Sequence, residues 1–590
     1  MIGRSSGSRP QRRRPRARFN LRARLALVAG GLGLCAVVLV GRAVDLQLID
    51  NAFYQQKADS RFLRELPIAT SRGMITDRNG EPLAISTPVA SLWANPQELV
   101  KHPDRIIELA GAIKVDADEL GRRVAQRADK EFMYLPGQRR IHPAAAEEVL
   151  ALNVPGVFSQ REYRRFYPQG EAISHVLGFT NIDDRGQEGI ELAFDDWLRG
   201  RPGAHKVIRD RRGRIVENVD LVRPAEPGRD LVLSIDRRIQ FLAHRELRNT
   251  LVRTGASAGS AVVLDVATGE VVAMVNLPTY NPHVVAGGDR DARRNRAVTD
   301  LIEPGSTIKP LTVAAALQAG VVTPSTPVDT SPGWMPNGRY RTSDVRNYGL
   351  LDVTGVITKS SNVGTAKLAA MLPDRALYDV LRAFGLGQST RSGFPGEASG
   401  LFPDPSQWSG TSKQTISYGY GLSATPLQIA SAYAAIANRG RLVQPTFVKG
   451  QHGESRQALD PDVADTVLRM MQTVTEQGGT ATRARILGYH VAGKTGTSRK
   501  ASGGGYSRRY VSFFAGIVPV ENPRFSMAIV IDDPDPARGY YGGLVAAPMF
   551  QGVMEGALRL MDVPPDDIET WLAAQAEADG KRRAAAGGGR

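Results

Sequence analysis

One cysteine, Cys35, stands in a chain of 590 residues, and it lies inside an apolar run. That count excludes an intrachain disulfide and a thiolate-based metal site. Histidine is scarce too: there are eight, with no H-x-x-x-H pair or other ligand spacing, so no catalytic metal and no cofactor are expected. Lysines number thirteen. Acidic residues are absent from positions 1–24, which hold nine arginines. Those arginines account for over half of the net charge of +15, and Lys581-Arg582-Arg583 with Arg590 forms a second small basic cluster. The body between is nearer balance, so the charge reads as the basic flank of a membrane anchor, not as a nucleic-acid groove.

What is present is ordinary globular composition, 42% hydrophobic and 23% charged, in a chain long enough for more than one core. Leu25 to Gly41 is apolar or small throughout and is bounded by Arg24 and Arg42. Seventeen helical residues span about 25 Å, slightly short of a hydrocarbon core of roughly 30 Å. Snorkelling by Arg42, with Val44, Leu46 and Leu48, extends the stripe. No A-x-A site follows the run, and Leu34 before Cys35 argues against a lipoprotein site. An uncleaved signal anchor over 25–45 is therefore expected, with residues 1–24 cytoplasmic and the rest outside a bacterial inner membrane.

After the anchor, residues 45–64 read as a stalk helix. Arg72-Gly73-Met74-Ile75-Thr76 leads into Asp77-Arg78-Asn79-Gly80, a strand meeting a hairpin turn. A mixed α+β outer domain is expected over 46–223, ended by Pro224-Ala225-Glu226-Pro227-Gly228. A second domain, 229–565, opens with a strand at 231–235 and a helix from Asp236, then a hairpin of 260–265 with 270–275. Later β-rich runs at 510–518 and 524–531, with a strand around Lys494, suggest an antiparallel sheet covered by helices, an α/β sandwich. Residues 566–590 read as a frayed tail.

The chemistry concentrates in Glu303-Pro304-Gly305-Ser306-Thr307-Ile308-Lys309-Pro310. Ser306 and Lys309, the only S-x-x-K match, would project from one helical face, so a neutral amine could take the hydroxyl proton. Two further triplets follow. Ser360-Ser361-Asn362 supplies a hydroxyl and an amide between two helical stretches. Lys494-Thr495-Gly496-Thr497 supplies a cation, hydroxyls and a glycine on a strand, with Lys494 and Gly496 on one face and the two threonines on the other. Each triplet alone is more often a turn, a cap or a strand end. Together, in the order S-x-x-K, S-x-N, K-T-G, and each occurring once, they match the set of the serine β-lactamases and penicillin-binding proteins. Ser361 stands where that set has aspartate.

On these residues the chain resembles the penicillin-binding proteins, and more closely the class B transpeptidases of cell division, the FtsI type. The resemblance runs from the anchor to about residue 562. It includes Arg72-Gly73, Asp77-Arg78-Asn79-Gly80, Asn295-Arg296-Ala297, Lys359 to Gly364, Ser417-Tyr418-Gly419-Tyr420-Gly421 and Tyr540-Tyr541-Gly542-Gly543. Glu303 before the Pro-Gly points to the division branch. The resemblance implies a penicillin-binding transpeptidase fold on an N-terminal pedestal of dimerisation type, with one transmembrane helix. It also implies a D,D-transpeptidase acting on peptidoglycan stem peptides through an acyl-enzyme, inhibited covalently by β-lactams.

In that reading Ser306 is the nucleophile and Lys309 the general base, its pKa lowered by burial and by nearby Lys494. Ser360 relays a proton and Asn362 orients the substrate amide. Lys494 completes a positive field, Thr495 and Thr497 bind the donor's terminal carboxylate, and Gly496 keeps the strand open. Backbone N–H groups of Ser306 and Thr497 form the oxyanion hole. Tyr418-Gly419-Tyr420-Gly421 is either a wall of the cleft or a structural turn, and Gly503-Gly504-Gly505 reads as a loop beside it. An FtsW-type glycosyltransferase and other divisome proteins are the implied partners. The rivals are a D,D-carboxypeptidase or β-lactamase-like hydrolase, although no E-x-x-L-N signature is present, and a non-catalytic division scaffold or β-lactam sensor.

Overall fold

A computed structural model describes residues 21–45, 63–209, 215–285, 287–502 and 505–576. The first described element is a helix, Leu21–Val44, whose apolar residues from Ala23 onward are exposed. It is long and apolar enough to cross a membrane, and it extends the expected run by including Arg22, Arg24 and Arg42. Most of the expected stalk helix, residues 46–62, lies outside the described residues.

The pedestal is mixed α+β. Strands β1 (Leu63–Ile68), β6 (Gly203–Arg209) and β7 (Ile215–Arg223) form one antiparallel sheet in the order β1-β6-β7. A second sheet joins β2 (Ile75–Thr76), the long β3 (Pro82–Ala94), β4 (Met133–Tyr134), β5 (Val157–Phe166) and β8 (Leu231–Val232). Leu92, Leu99, Leu109, Leu120 and Val149 make a small separate core there. A second cohesive element is ionic: Arg72 Nε and Arg165 Nε each donate to Glu191 at 2.6 Å, and Arg72 Nη1 donates to Asp195 Oδ1 at 2.6 Å. Charges buried like these require mutual partners, and here they have them.

The joint between pedestal and catalytic domain uses the Asp77–Gly80 turn. Asp77 is buried and accepts from the N–H groups of Asn79 (2.8 Å), Glu81 (2.9 Å) and Arg237 (3.1 Å). Asn79 donates to Asp236, the residue that caps the Arg237–Thr254 helix, at 3.0 Å, and Arg78 pairs with Glu270 at 3.0 Å. Gly73 has to be glycine, since a Cβ there would lie 2.0 Å from the Arg229 carbonyl oxygen. Strand β8 pairs in parallel with β2, so residues 231–232 complete the pedestal sheet although they follow the Pro/Gly-rich stretch.

The catalytic domain is built on one antiparallel sheet of five strands: β9 (Ala258–Asp265), β10 (Val271–Leu277), β17 (Ala492–Ser502), β18 (Gly505–Val518) and β19 (Phe525–Asp532). Their order across the sheet is β10-β9-β19-β18-β17. All eight residues of β9 are buried, as expected of a strand covered on both faces. The Arg237–Thr254 and Ala547–Leu560 helices pack together, the former against β10; the Pro426–Ala437 helix packs on β9 and β19. That last helix is buried at all twelve positions, which its Ala, Ile and Leu content allows, and a capping box of Thr425 and Gln428 starts it. Smaller pairs stand outside the sheet: β11 (Pro327–Asp329) with β14 (Leu350–Asp352), β12 (Trp334–Asn337) with β13 (Tyr340–Ser343), and β15 (Arg441–Val443) with β16 (Ser455–Gln457).

The C-terminal end differs from expectation. Asp566 does not begin a frayed tail: it accepts from the N–H groups of His490 (2.8 Å), Val520 (3.1 Å) and Glu521 (3.2 Å). Residues 568–576 are helical, and Trp571 packs on Gly488, so one carboxylate and one aromatic ring hold a segment whose composition alone reads as loose. Residues 577–590 lie outside the described residues.

Candidate active site

Ser306 sits in a 3-10 turn, Gly305–Ile308, that runs directly into the Lys309–Gln318 helix. In such a turn residues i and i+3 eclipse, so Ser306 and Lys309 stack more directly than on an α-helix. Pro310 falls at the helix start, where its missing N–H costs nothing. The turn is held from behind: Thr307 Oγ1 donates to Pro304 O at 2.7 Å and Tyr433 OH donates to Thr307 O at 2.8 Å. Gly305 N–H donates to Gly419 O at 3.0 Å, and Gly419, at φ 90°, admits no side chain because a Cβ would lie 2.0 Å from Gly305 O.

Lys309 is fully buried, and its bonds run to Ser360: Nζ donates to Ser360 O at 2.5 Å and to Ser360 Oγ at 3.2 Å. Among the described residues no hydrogen bond joins Lys309 to Ser306. Lys494, also fully buried, donates to the same Ser360 Oγ at 2.8 Å and to Thr495 O at 3.1 Å. Two amines thus fill both lone pairs of one hydroxyl, leaving its own proton as the bond it can still donate. Ser360 reaches this place by a left-handed conformation, φ 60° and ψ 43°, between the Val353–Lys359 and Asn362–Ala370 helices. A non-glycine residue there stores strain, the kind that surrounding structure must hold in place.

Ser361, where the familiar motif has aspartate, is a cap: its hydroxyl accepts from Gly364 N–H at 2.8 Å and donates to Asp344 Oδ2 at 2.6 Å. Asp344 Oδ1 accepts from the N–H groups of Asn362 and Val363. The carboxylate that the motif lacks is therefore supplied from β13's flank. Sequence reading missed Asp344, because it stands seventeen positions from Ser361 in no recognisable pattern. Asn362 Nδ2 donates to Ser343 O at 2.8 Å.

Burial pushes Lys309 down to about 7, while the field of Asp344 opposes that shift. Burial also pushes Lys494 well below the usual lysine range, and the neighbouring Lys309 adds to the effect. Lys494, expected as a cation, thus shares with Lys309 a buried setting that disfavours charge, while Asp344 favours the charged form of Lys309.

Strand β17 lies at the end of the sheet, paired on one side only, with its other edge along the Ser306 turn. Gly496 is needed there: a Cβ would sit 3.1 Å from both Pro304 O and Thr307 Cγ2. The threonine hydroxyls have partners of their own. Thr495 Oγ1 lies 2.9 Å from Thr480 Oγ1, and Thr497 Oγ1 accepts from Gly542 N–H at 3.2 Å. At the mouth, Tyr420 packs edge-on against Tyr506, whose OH donates to Glu303, and Tyr418 OH is 3.1 Å from Thr342 Oγ1. Tyr418-Gly419-Tyr420-Gly421 is thus a turn that buttresses the Ser306 turn, with Tyr420 packed on the exposed Tyr506. Tyr506 and Thr480 carried no sequence signal. Gly503 and Gly504 lie outside the described residues.

Residues 67–233 match the penicillin-binding protein dimerisation domain, and residues 259–555 match the penicillin-binding protein transpeptidase domain. The peptidoglycan D,D-transpeptidase FtsI of Escherichia coli K12 is 42% identical over 569 residues, covering 95% of this chain and 96% of that protein. The probable peptidoglycan D,D-transpeptidase PbpC of Pseudomonas aeruginosa is 41% identical over 548 residues, covering 92% and 96%. Penicillin-binding protein 3 of Mycobacterium tuberculosis, solved with aztreonam, superposes with a TM-score of 0.66 at 30% identity, covering 85% of this chain and 98% of that one. Sheet and pedestal agree with these likenesses, and the chain belongs to the class B penicillin-binding proteins.

Proposed function

We propose that this chain is a peptidoglycan D,D-transpeptidase of the FtsI type, crosslinking stem peptides at the division septum and inhibited covalently by β-lactams. The observation that carries the reading is the convergence of two buried amines on Ser360 Oγ, one of them, Lys309, a single tight turn along the chain from Ser306. Ser306 Oγ attacks the carbonyl between two D-alanines, a tetrahedral intermediate forms, and its collapse expels D-alanine and leaves an ester on Ser306. The incoming donor carboxylate, bound by Thr495 and Thr497, lies beside Lys494 and favours its charged form. Burial favours the uncharged form of Lys309. Lys309 becomes the neutral base that takes the Ser306 proton. Ser360 delivers a proton to the leaving amine, Asn362 orients the donor amide, and the N–H groups of Ser306 and Thr497 hold the oxyanion. Gly305 lies close to the Thr497 carbonyl, which supports that last assignment. A second stem peptide's amine resolves the ester.

The proposed organisation is a cytoplasmic tail (1–24), one membrane-crossing helix (25–45), a pedestal outside the inner membrane (46–223) and a catalytic domain from 229. The nine arginines before the helix support that orientation. An FtsW-type glycosyltransferase would supply the glycan strands, since neither matched domain is a polymerase. Fluorescent penicillin should label the protein and leave Ser306→Ala unlabelled; label on the alanine variant refutes the nucleophile.

A further inference from the structure

The hairpin β12–β13 and its flank carry three exposed arginines, Arg339, Arg341 and Arg346. Each guanidinium lies over a ring: Arg339 over Tyr340 at 5.2 Å, Arg341 over Trp334 at 4.1 Å and Arg346 over Tyr348 at 5.3 Å. Among the described residues none of the three forms an ion pair. By contrast, Arg294 and Arg296 both pair with Asp291 and Asp300. The one acidic residue between Gly333 and Gly349 is Asp344, already committed to Ser361 and the Asn362 helix. Rings beneath the guanidinium planes of Arg339 and Arg341 hold them in place without occupying the N–H edge, and Arg346, which also hydrogen-bonds Tyr348, keeps further N–H groups for a carboxylate. Tyr340 and Val345 add exposed apolar surface beside them.

This charged ledge is fastened to the catalytic centre. Ser343 O accepts from Asn362 Nδ2 at 2.8 Å, and Thr342 Oγ1 meets Tyr418 OH at 3.1 Å. The hairpin therefore stands on the Ser360–Asn362 side of Ser306, across from the β17 wall where the donor's terminal carboxylate is assigned. We propose that it docks the acceptor stem peptide, gripping that peptide's carboxylates so that its free amine faces the acyl-enzyme. This proposal rests on the transpeptidase reading. The step served is aminolysis: the acceptor nitrogen attacks the ester carbonyl, a C–N bond forms and the carbonyl–Oγ bond breaks. The proton lost from nitrogen returns through Lys309 to Ser306 Oγ.

The test uses the full chain in detergent with an N-acyl-D-alanyl thioester donor free of carboxylates. Two acceptor peptides with the same amine are compared, one with free carboxylates and one with those groups amidated. Thioester consumption, the ratio of aminolysis to hydrolysis, and penicillin labelling are read together. The wild type should half-saturate with the free-carboxylate acceptor at about tenfold lower concentration, the equivalent of one good ion pair. Arg341→Gln/Arg346→Gln should abolish that preference with thioester hydrolysis and labelling unchanged, and Arg341→Lys/Arg346→Lys should restore part of it. Arg339→Gln, at the turn tip, reports separately if the double variant misfolds. Equal use of both acceptors by the wild type, or an unchanged preference in the glutamine variants, overturns the proposal. So does an effect seen only in the half-saturation of a carboxylate-bearing donor. A wild type that neither consumes thioester nor takes up penicillin refutes the transpeptidase reading itself, and the docking ledge with it.

Discussion

Replacing Lys309 by methionine should destroy acylation and stabilise the protein at neutral pH. The unfolded lysine titrates near 10.5 and the buried one near 7, so between those values the unfolded chain binds about one more proton. Stability therefore rises with pH across that window, by about 1.36 kcal/mol per unit, and the burial cost is fully present below pH 7. At pH 7 the cost is about 4 kcal/mol, and at pH 9.5 it has fallen to about 1 kcal/mol. Methionine fills a similar volume without charge, but it leaves Ser360 O without its donor, a loss of about 1–3 kcal/mol. The net expectation is a gain of roughly 1–3 kcal/mol at pH 7 that vanishes or reverses by pH 9.5. Guanidinium unfolding followed by tryptophan fluorescence at both pH values measures it. A Lys309→Met variant less stable than wild type at pH 7, or one whose gain is the same at pH 9.5, refutes the account of Lys309 as an amine whose charged form is disfavoured by burial.

Further outcomes follow from the same contacts. Asp344→Asn removes the carboxylate that raises Lys309, so the acid limb of the penicillin acylation profile should move to lower pH; an unmoved limb contradicts the coupling. Ser361→Ala removes a cap and should cost about 1–2 kcal/mol in unfolding free energy from denaturant melts, while acylation stays within about tenfold of wild type. Gly419→Ala drives a Cβ into Gly305 O and should lower the acylation rate by more than about a hundredfold, with a folded pedestal by circular dichroism. Glu191→Ala takes from buried Arg165 its carboxylate partner and leaves Arg72 with Asp195 alone, and should destabilise the pedestal by about 3–5 kcal/mol. Penicillin labelling before unfolding should be unaffected in that variant.

The sheet, the Ser306 turn and the two-helix setting of Ser360 were readable because each rests on local signals: β-rich runs, a Pro-Gly entry, hydroxyl and amide residues at a helix junction. The turn at Asp77–Gly80 was readable as a turn, whereas its role in capping the catalytic domain's first helix needed three dimensions. Lys494 shows the sharper limit. Its strand and its face followed from alternation, yet its charge state depends on an amine 185 positions earlier in the chain and on burial no local window reports. Asp344, Thr480 and Tyr506 were invisible for the same reason: each joins the site through tertiary packing. Asp566 failed in the other direction, since a Gly- and Ala-rich neighbourhood hid one well-placed carboxylate.

The left-handed backbone at Ser360 narrows what can ever occupy that position. Conformation favours glycine or asparagine, and chemistry demands a small hydroxyl. Threonine has the hydroxyl but, being β-branched, fits a positive φ poorly; glycine fits the turn but has nothing for two amines to share. Serine is the one residue that meets both demands, at the expense of local strain. A drug-resistant variant must therefore keep this point of the cleft and vary elsewhere. An inhibitor that engages the Ser360 hydroxyl and its backbone carbonyl together would meet a surface with almost no room to mutate.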